Sequence, residues 1–283
     1  MHLNKFYKNL KKTYVIAEIG VNHNNNLEIA KRLIDLAKKA GADAVKFQTF
    51  SADRLVTPGT RKVKYQKTNT RDLETHYQMI KRLELSYTHH RVLFDYCKKK
   101  KIEFISTPYD VESAKFINKL GVKIFKTASV DIVDYKLHKY LSKLNKPVII
   151  STGMSTIEEI KRTIKFYKKK IGNVALLHCV SNYPCSLKSI NLNSLSILKF
   201  FFKCTIGFSD HTKGNQASCL SVALGSKIIE KHFTLDKNMK GPDHKASCSP
   251  AELEKLIKDL RKTEIILGQH VKKKQHEEEE MSK

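Results

Sequence analysis

Short apolar runs alternate with amphipathic stretches eight times along this chain of 283 residues. The runs are rich in β-branched and aromatic residues and are predicted to be strands, whereas the amphipathic stretches repeat apolar residues at helical spacing. The strands are predicted at 14–19, 44–48, 102–106, 122–126, 147–151, 173–178, 204–208 and 227–231. Such alternation is typical of parallel strands joined by right-handed helical crossovers.

Eight such units predict an α/β protein, and specifically a (β/α)8 TIM barrel, because this fold takes about 250 residues. A doubly wound open sheet is the alternative. The sequence contains neither GxGxxG nor GxxxxGK[ST], so the nucleotide-binding forms of that sheet are disfavoured. We expect one catalytic barrel domain at 1–268 and a polar tail or linker at 269–283. The segment 51–70 is predicted to be a loop.

Composition excludes several classes of protein. With 41% hydrophobic residues the chain is not disordered, and no apolar run reaches the ~20 residues that span a bilayer. The net charge is +25, from 53 basic and 28 acidic residues. Lysine dominates the basic residues and is spread over the predicted helices without a nucleic-acid-binding module, so we expect no nucleic-acid partner. Six cysteines without CxxC spacing favour reduced thiols and a cytoplasmic protein.

Polar residues stand at or just after the carboxyl end of every predicted strand, which is where barrel enzymes carry their chemistry. Four of them interrupt apolar strands: Lys46, Gln48, Glu230 and His232. Two lysines lie near several hydroxyls, and such a set of donors suits a phosphate or a carboxylate. This anion site would contain Lys46, Thr107, Lys126, Ser129, Ser151 and Ser209.

Two histidines and two carboxylates complete this predicted rim. His211 and His232 follow neighbouring strands and could share a divalent metal, although spacing alone favours two hydrogen-bonding histidines near the rim. Glu18 and Asp131 are candidates for acid–base work, and salt bridges with rim lysines are the alternative. Other histidines are expected to be structural, with His178 buried in the core, His23 in a loop that caps the first helix, and His76, His89 and His90 exposed.

Nine motifs in order resemble the sialic acid synthase family, which includes N-acetylneuraminate, legionaminate and pseudaminate synthases. They cover residues 13–268 and read AEIGVNHNNN, KAGADAVKFQTF, STPYD, KTASVD, STGMS, HCVSNYP, IGFSDHT, EKHFTLDK and GPDHKAS. The resemblance implies condensation of phosphoenolpyruvate with an N-acetylated amino-hexose, such as N-acetylmannosamine, to a nine-carbon 2-keto acid plus phosphate. It also implies Mn²⁺, or another divalent cation such as Mg²⁺ or Co²⁺.

The resemblance also implies a role for each matching residue. His211 and His232 would hold the metal, and the anion site above would hold phosphoenolpyruvate, with a further contact from Ser181 or Asn182. Asp131 would move a proton to or from the attacking water. The sugar would be oriented by Glu18, Gln48, Tyr183 and Asp243.

Two departures from the family pattern bear on activity. Asp131 stands where several members have the longer Glu, and the antifreeze-like domain that usually follows the barrel is not in this sequence. In family members that domain sends an arginine over the sugar site of the partner in a homodimer. We expect a homodimer here as well, with an antifreeze-like domain supplied by a separate chain. The alternative is a catalytically weak or inactive barrel subunit.

Overall fold

The computed structural model describes residues 7, 10–70, 73–269 and 271–282. Eight parallel strands close into a barrel in the order β1 to β8, as the sequence predicts. The strands are β1 (Tyr14–Gly20), β2 (Ala44–Thr49), β3 (Glu103–Pro108), β4 (Phe125–Thr127), β5 (Val148–Ser151), β6 (Val174–Cys179), β7 (Thr205–Asp210) and β8 (Ile228–His232). The (β/α)8 TIM barrel prediction is confirmed.

Helices surround the barrel on its outer side. They are α1 (Leu27–Ala40), α2 (Ala52–Leu55), α3 (Lys64–Asn69), α4 (His76–Leu83), α5 (Tyr87–Lys100), α6 (Val111–Leu120), α7 (Tyr135–Lys143), α8 (Ile157–Ile164), α9 (Ser194–Phe201), α10 (Gln216–Ala223) and α11 (Pro250–Leu267). Local signals explain the ends of α1, because the Asn26 side chain accepts from the Glu28 and Ile29 amides and Gly41 takes the left-handed conformation. None of the described helices is both long and apolar enough to cross a bilayer.

Strand side chains alternate between the barrel interior and the layer under the helices. Ile16, Ile105, Ile149 and Ile228 belong to the interior cluster, whereas a larger cluster fills the space between strands and helices. The lower interior is tight at Gly207, where an added Cβ would lie 2.5 Å from the Ile228 carbonyl oxygen. Apolar residues therefore close the bottom of the barrel, and polar side chains occupy its upper end.

The structure differs from the sequence prediction in the segment between β2 and β3. The segment 51–70, predicted as a loop, contains α2 and α3. The amphipathic sequence over 72–83 predicts a helix, which in the structure begins at His76; Asp72 lies outside the described residues. The Thr75 side chain accepts from the Gln78 amide and sets this start. This insertion lies over the carboxyl ends of the strands and becomes part of the site described next.

Candidate active site

A cavity of about 990 Å³ opens at the carboxyl ends of the strands. Fourteen of the fifteen predicted site residues line it: Glu18, Lys46, Gln48, Thr107, Lys126, Ser129, Ser151, Ser181, Asn182, Tyr183, Ser209, His211, His232 and Asp243. The strand register brings them together, since Glu18 is the cross-strand partner of both Lys46 and His232. The predicted polar rim is therefore a single chamber.

Two lysines and two glutamates form a buried network in this chamber. Lys46 Nζ lies 2.7 Å from Glu18 Oε2 and 3.8 Å from Glu230 Oε2, and it donates to Thr107 Oγ1 at 3.1 Å. Lys126 Nζ donates to Ser151 Oγ at 2.6 Å and lies 3.6 Å from Glu230 Oε1. Glu230 therefore lies between the two ammonium groups and holds both in place.

The two glutamates of this network have opposite pKa shifts. Burial raises the pKa of Glu18 to about 7, an effect that Lys46 opposes and Glu230 reinforces. Burial also disfavours ionised Glu230, but Lys126 and Lys46 outweigh it and lower its pKa to about 2. At neutral pH Glu230 is therefore the permanent counter-ion, and Glu18 is the carboxyl group able to exchange a proton.

Hydroxyl donors extend the positive region around Lys126. Ser129 Oγ accepts from the Gly153 amide at 3.0 Å, and Ser181 lies on the same side. A Cβ at Gly153 would lie 2.6 Å from Ser181 Oγ and 2.8 Å from Ser129 Oγ, so only glycine allows these hydroxyls to meet here. The result is a compact corner of ammonium, hydroxyl and amide groups, a set of donors that suits an anion.

The rings of His211 and His232 lie close together in the part of the chamber next to this corner. Their ring centroids are 5.5 Å apart, and the Tyr183 ring lies 4.1 Å from the first and 5.3 Å from the second. His211 Nδ1 donates to the Val180 carbonyl at 2.8 Å, and its Nε2 lies 3.5 Å from Ser209 Oγ. Burial, together with His211 and Lys46, lowers the pKa of His232 well below its usual value, so this ring is neutral.

These two imidazoles fit a divalent cation on the chemistry of the donors. His232 Nδ1 is buried and has no hydrogen-bond partner among the described atoms, and an unpaired buried nitrogen is costly unless something binds it. Within the described part of the chain, no three His, Cys, Asp or Glu side chains form a metal-sized group. A cation here would therefore have two protein ligands and positions left for water or substrate.

Asp131 is the one predicted site residue that does not line the cavity. It lies in a 3-10 turn, Ser129–Val133, and its Oδ2 accepts from the Ala128 amide at 3.1 Å. Burial raises its pKa to about 7. The short side chain caps its own turn, and Asp131 does not line the chamber with Glu18.

Asp243 does lie in the chamber, although its sequence also fits a simple turn. It is nearly buried, and burial raises its pKa to about 6 against the effect of His211 and Lys46. The prediction that His178 belongs to the core is confirmed, since its Nε2 lies 2.7 Å from the Ile190 carbonyl and it does not line the cavity.

Two contacts of the site could not be foreseen. The sequence places Glu230 on β8 but gives no sign that it bridges two lysines. The sequence around Cys179 shows no arrangement typical of a thiol nucleophile, yet Cys179 lines the cavity with Sγ 3.8 Å from His211 Nδ1. His211, together with Ser129 and Lys126, outweighs burial and lowers the pKa of this thiol. The only sequence signal was its position at the end of an apolar strand.

The predictions for four other histidines were wrong. His76 and His89, predicted to be exposed, are half-buried, and His76 lines the cavity. His90 is fully buried, with Nδ1 2.9 Å from the Ser86 carbonyl and Nε2 2.8 Å from Thr49 Oγ1, because α5 packs this face against β2 and β3. His23 does not cap α1, a role taken by Asn26. It is buried and accepts from the Asn25 amide at 2.9 Å.

Another part of the cavity wall is apolar. Val21, Phe50, Met79 and Leu83 form a separate cluster, with Ile80 and Tyr109 packed against it, and all six line the cavity. Much of this wall comes from α4, in the insertion between β2 and β3. The chamber thus combines one strongly polar wall with one apolar wall.

Comparisons with known proteins agree with this geometry. The NeuB family model matches residues 33–272. An N,N'-diacetyllegionaminic acid synthase of Campylobacter jejuni is 45% identical over 267 residues, which cover 93% of this chain and 80% of that protein. The enzyme of the same name from Legionella pneumophila is 43% identical over 265 residues, covering 92% and 74%.

The comparison with solved structures agrees with the comparison of sequences. The crystal structure of the N-acetylneuraminic acid synthetase of Leptospira borgpetersenii, in complex with citrate, matches with a TM-score of 0.87 and 34% identity. The match covers 96% of this chain and 90% of that one. Sequence, fold and the contents of the chamber lead to one conclusion: the chain belongs to the NeuB family.

Proposed function

We propose that this chain condenses phosphoenolpyruvate with an N-acetylated amino-hexose in its open aldehyde form. A bond forms between the methylene carbon of phosphoenolpyruvate and the aldehyde carbon, and the aldehyde oxygen takes a proton to become a hydroxyl. Water adds to the former enol carbon and loses one proton. The hydroxyl formed in this way then becomes the keto group and passes its remaining proton to the phosphate as the C–O bond to phosphate breaks. The products are a nine-carbon 2-keto acid and inorganic phosphate.

One observation carries this proposal: a buried corner with two ammonium groups opens into the same chamber as two facing imidazoles. Phosphoenolpyruvate carries a carboxylate and a phosphate, and both suit donors of this kind. Lys46 and Lys126 would neutralise the anion, and hydroxyls would fix its orientation. These hydroxyls are on Thr107, Ser129, Ser151, Ser209 and, beside the Asn182 amide, Ser181.

We assign His211 and His232 to a divalent cation, with Mn²⁺ as first choice and Mg²⁺ or Co²⁺ as substitutes. When bound, such a cation supplies Lewis acidity toward the sugar aldehyde. Tyr183, whose ring packs against both imidazoles, and Gln48, which donates to Glu18 Oε1 at 3.1 Å, would orient the sugar with Asp243.

Glu18 is the residue we assign to proton transfer. Its pKa of about 7 makes the acid and the base form both accessible at neutral pH, which suits a general acid–base group. It faces the chamber, unlike Asp131. We therefore propose that Glu18 delivers the proton to the new hydroxyl, and we keep Asp131 as a prediction that turnover of Asp131→Asn would test.

The apolar wall favours a sugar that carries more than one acetylated amine. Both synthases named above form a product with two N-acetyl groups. Burying one methyl group against Phe50 or Ile80 is worth ~0.8 kcal/mol, or about fourfold in affinity. We therefore place the acetamido methyl groups against this wall and the aldehyde toward the imidazoles.

The test is phosphate release from phosphoenolpyruvate with a panel of amino-hexoses, each with and without Mn²⁺. We expect release only when phosphoenolpyruvate, sugar and cation are all present, and a kcat/KM at least about fourfold higher for a diacetamido sugar than for a monoacetamido sugar. Binding of phosphoenolpyruvate without turnover on any sugar would contradict the enzyme proposal and favour the inactive-subunit alternative.

A pH effect follows from the raised pKa of Glu18. An incoming anion makes ionised Glu18 still less favourable, so binding of phosphoenolpyruvate should be accompanied by proton uptake, and affinity should fall as pH rises through about 7. Calorimetry in buffers of different ionisation enthalpy measures the uptake. Glu18→Gln is the control, because the ligand's own titration remains in it. Equal uptake by both proteins would refute the assignment.

A further inference from the structure

The residues that precede the two imidazoles in the chain form their own buried ion pair. Asp210 precedes His211, Lys231 precedes His232, and the two are cross-strand partners in β7 and β8. Because strand side chains alternate, they point away from the chamber into the layer under α10. Lys231 Nζ lies 2.9 Å from Asp210 Oδ2, and both side chains are almost completely buried.

Every polar group of this pair is used. Lys231 Nζ also donates to the carbonyls of Thr212 at 2.6 Å and Gly214 at 3.0 Å. Asp210 Oδ1 accepts from the Thr212 amide at 2.8 Å and from its hydroxyl at 2.7 Å, and Asp210 Oδ2 accepts from Ser218 Oγ at 2.6 Å. The pair therefore ties β8, the turn after β7 and helix α10 to one point.

This network fixes the backbone on both sides of His211. Thr212, the next residue, is held by Asp210 and Lys231 together. The His211 carbonyl accepts from the Cys185 amide at 2.8 Å, and its ring is held by the Val180 carbonyl. Lys231, in turn, sits between Glu230 and His232 in β8. One buried pair thus links the main chain beside both imidazoles.

The stability of the fold does not by itself require a charged pair at positions 210 and 231. Moving two charges from water into a protein interior costs several kcal/mol per ion, and well-packed apolar residues of similar size are often equally stable. A charged pair differs from an apolar pair because its hydrogen bonds are directional. They fix the angles between the groups as well as their contact. Groups that orient metal ligands from behind commonly change affinity 10- to 100-fold when removed.

We infer that Asp210 and Lys231 are positioning residues, which set the separation and direction of His211 and His232 for a shared cation. This inference rests on the proposed role of those histidines in metal binding. The pair does not touch the chamber, since neither residue lines it, and so it has no contact with phosphoenolpyruvate or sugar.

The test compares Mn²⁺ affinity in the full chain and in the neutral double variant Asp210→Asn/Lys231→Met, which leaves no unpaired charge. Titration of free Mn²⁺ by electron paramagnetic resonance measures Kd without any turnover. We expect Kd to rise about 10- to 100-fold. Phosphoenolpyruvate affinity without metal should stay unchanged, and kcat should recover at saturating Mn²⁺.

The matched control is Glu103→Gln/Lys123→Met, which neutralises a pair formed by the exposed Lys123 and the half-buried Glu103, whose atoms are 2.8 Å apart. It should keep the wild-type Kd for Mn²⁺. If the first double variant fails to fold, Ser218→Ala removes one bond to Asp210 from α10. It should weaken Mn²⁺ affinity by about threefold, less than the 10- to 100-fold range because only one bond is lost.

An unchanged Kd in a folded double variant, or in Ser218→Ala when that variant is the one tested, overturns the inference and leaves the proposed function standing. Absence of Mn²⁺ binding by the wild-type chain would overturn the metal assignment and the inference together.

Discussion

Replacing Lys126 by methionine is expected to lower kcat/KM for phosphoenolpyruvate by about 10²- to 10⁴-fold. Lys126 is among the largest fully buried side chains, and its ammonium group donates to Ser151 and lies beside Glu230. Removing one partner of a buried charge network costs about 3–5 kcal/mol, because the other charge stays buried without compensation. In this variant phosphoenolpyruvate also loses the Lys126 ammonium group as a partner, and the Glu230 carboxylate would repel it.

The control for this variant is Lys123→Met, three residues earlier in the same sequence and largely exposed. It removes the same charge and should leave kcat/KM unchanged, since interactions of exposed ion pairs contribute at most about 1 kcal/mol. Thermal unfolding of both variants checks that the barrel is intact. A folded Lys126→Met protein with wild-type affinity for phosphoenolpyruvate would contradict the assignment of the anion site.

Replacing either His211 or His232 by alanine is expected to abolish the dependence of the rate on Mn²⁺. The loss of one of the two histidines leaves the cation on a single imidazole. We therefore expect Mn²⁺ affinity to fall by more than ~100-fold, which exceeds the range for groups that merely orient a ligand. Phosphoenolpyruvate binding without metal should persist, because Lys46 and Lys126 remain. Mn²⁺ titration and calorimetry measure the two quantities separately.

His178→Asn is the matched control for the histidine variants. His178 is also buried at the end of a strand, but it lies outside the cavity and contacts the Ile190 carbonyl. It should keep the wild-type Mn²⁺ affinity. Full activity of the wild-type chain in the presence of a chelator would refute the metal assignment whatever the variants do.

The barrel could be predicted from sequence because each unit carries its own local signals. Apolar strand runs, helical spacing and stops such as Gly41 and Gly121 act within a few residues of each other. Polar residues inside apolar strands, above all Lys46 and His232, indicated for the same reason which end of the barrel carries the polar chamber. Charged and strongly polar side chains are rarely buried in a core unless they are paired or have a functional role.

What could not be predicted depends on contacts between distant segments. No periodicity shows that Glu230 lies between two lysines, or that the segment 51–70 folds into helices that help to wall the chamber. Asp131 matched the family motif in sequence, but the length of its side chain and its bond to the Ala128 amide keep it out of the chamber. The local sequence predicts that His90 is exposed on a helix, and only the packing of α5 against the barrel buries it.

The most direct test is a crystal of the chain soaked with Mn²⁺ and phosphoenolpyruvate, with diffraction recorded at the manganese absorption edge. The account predicts one strong anomalous peak between the rings of His211 and His232, with the phosphate and carboxylate of the ligand against Lys46 and Lys126. A peak elsewhere in the molecule, or a ligand bound away from the two lysines, would contradict it.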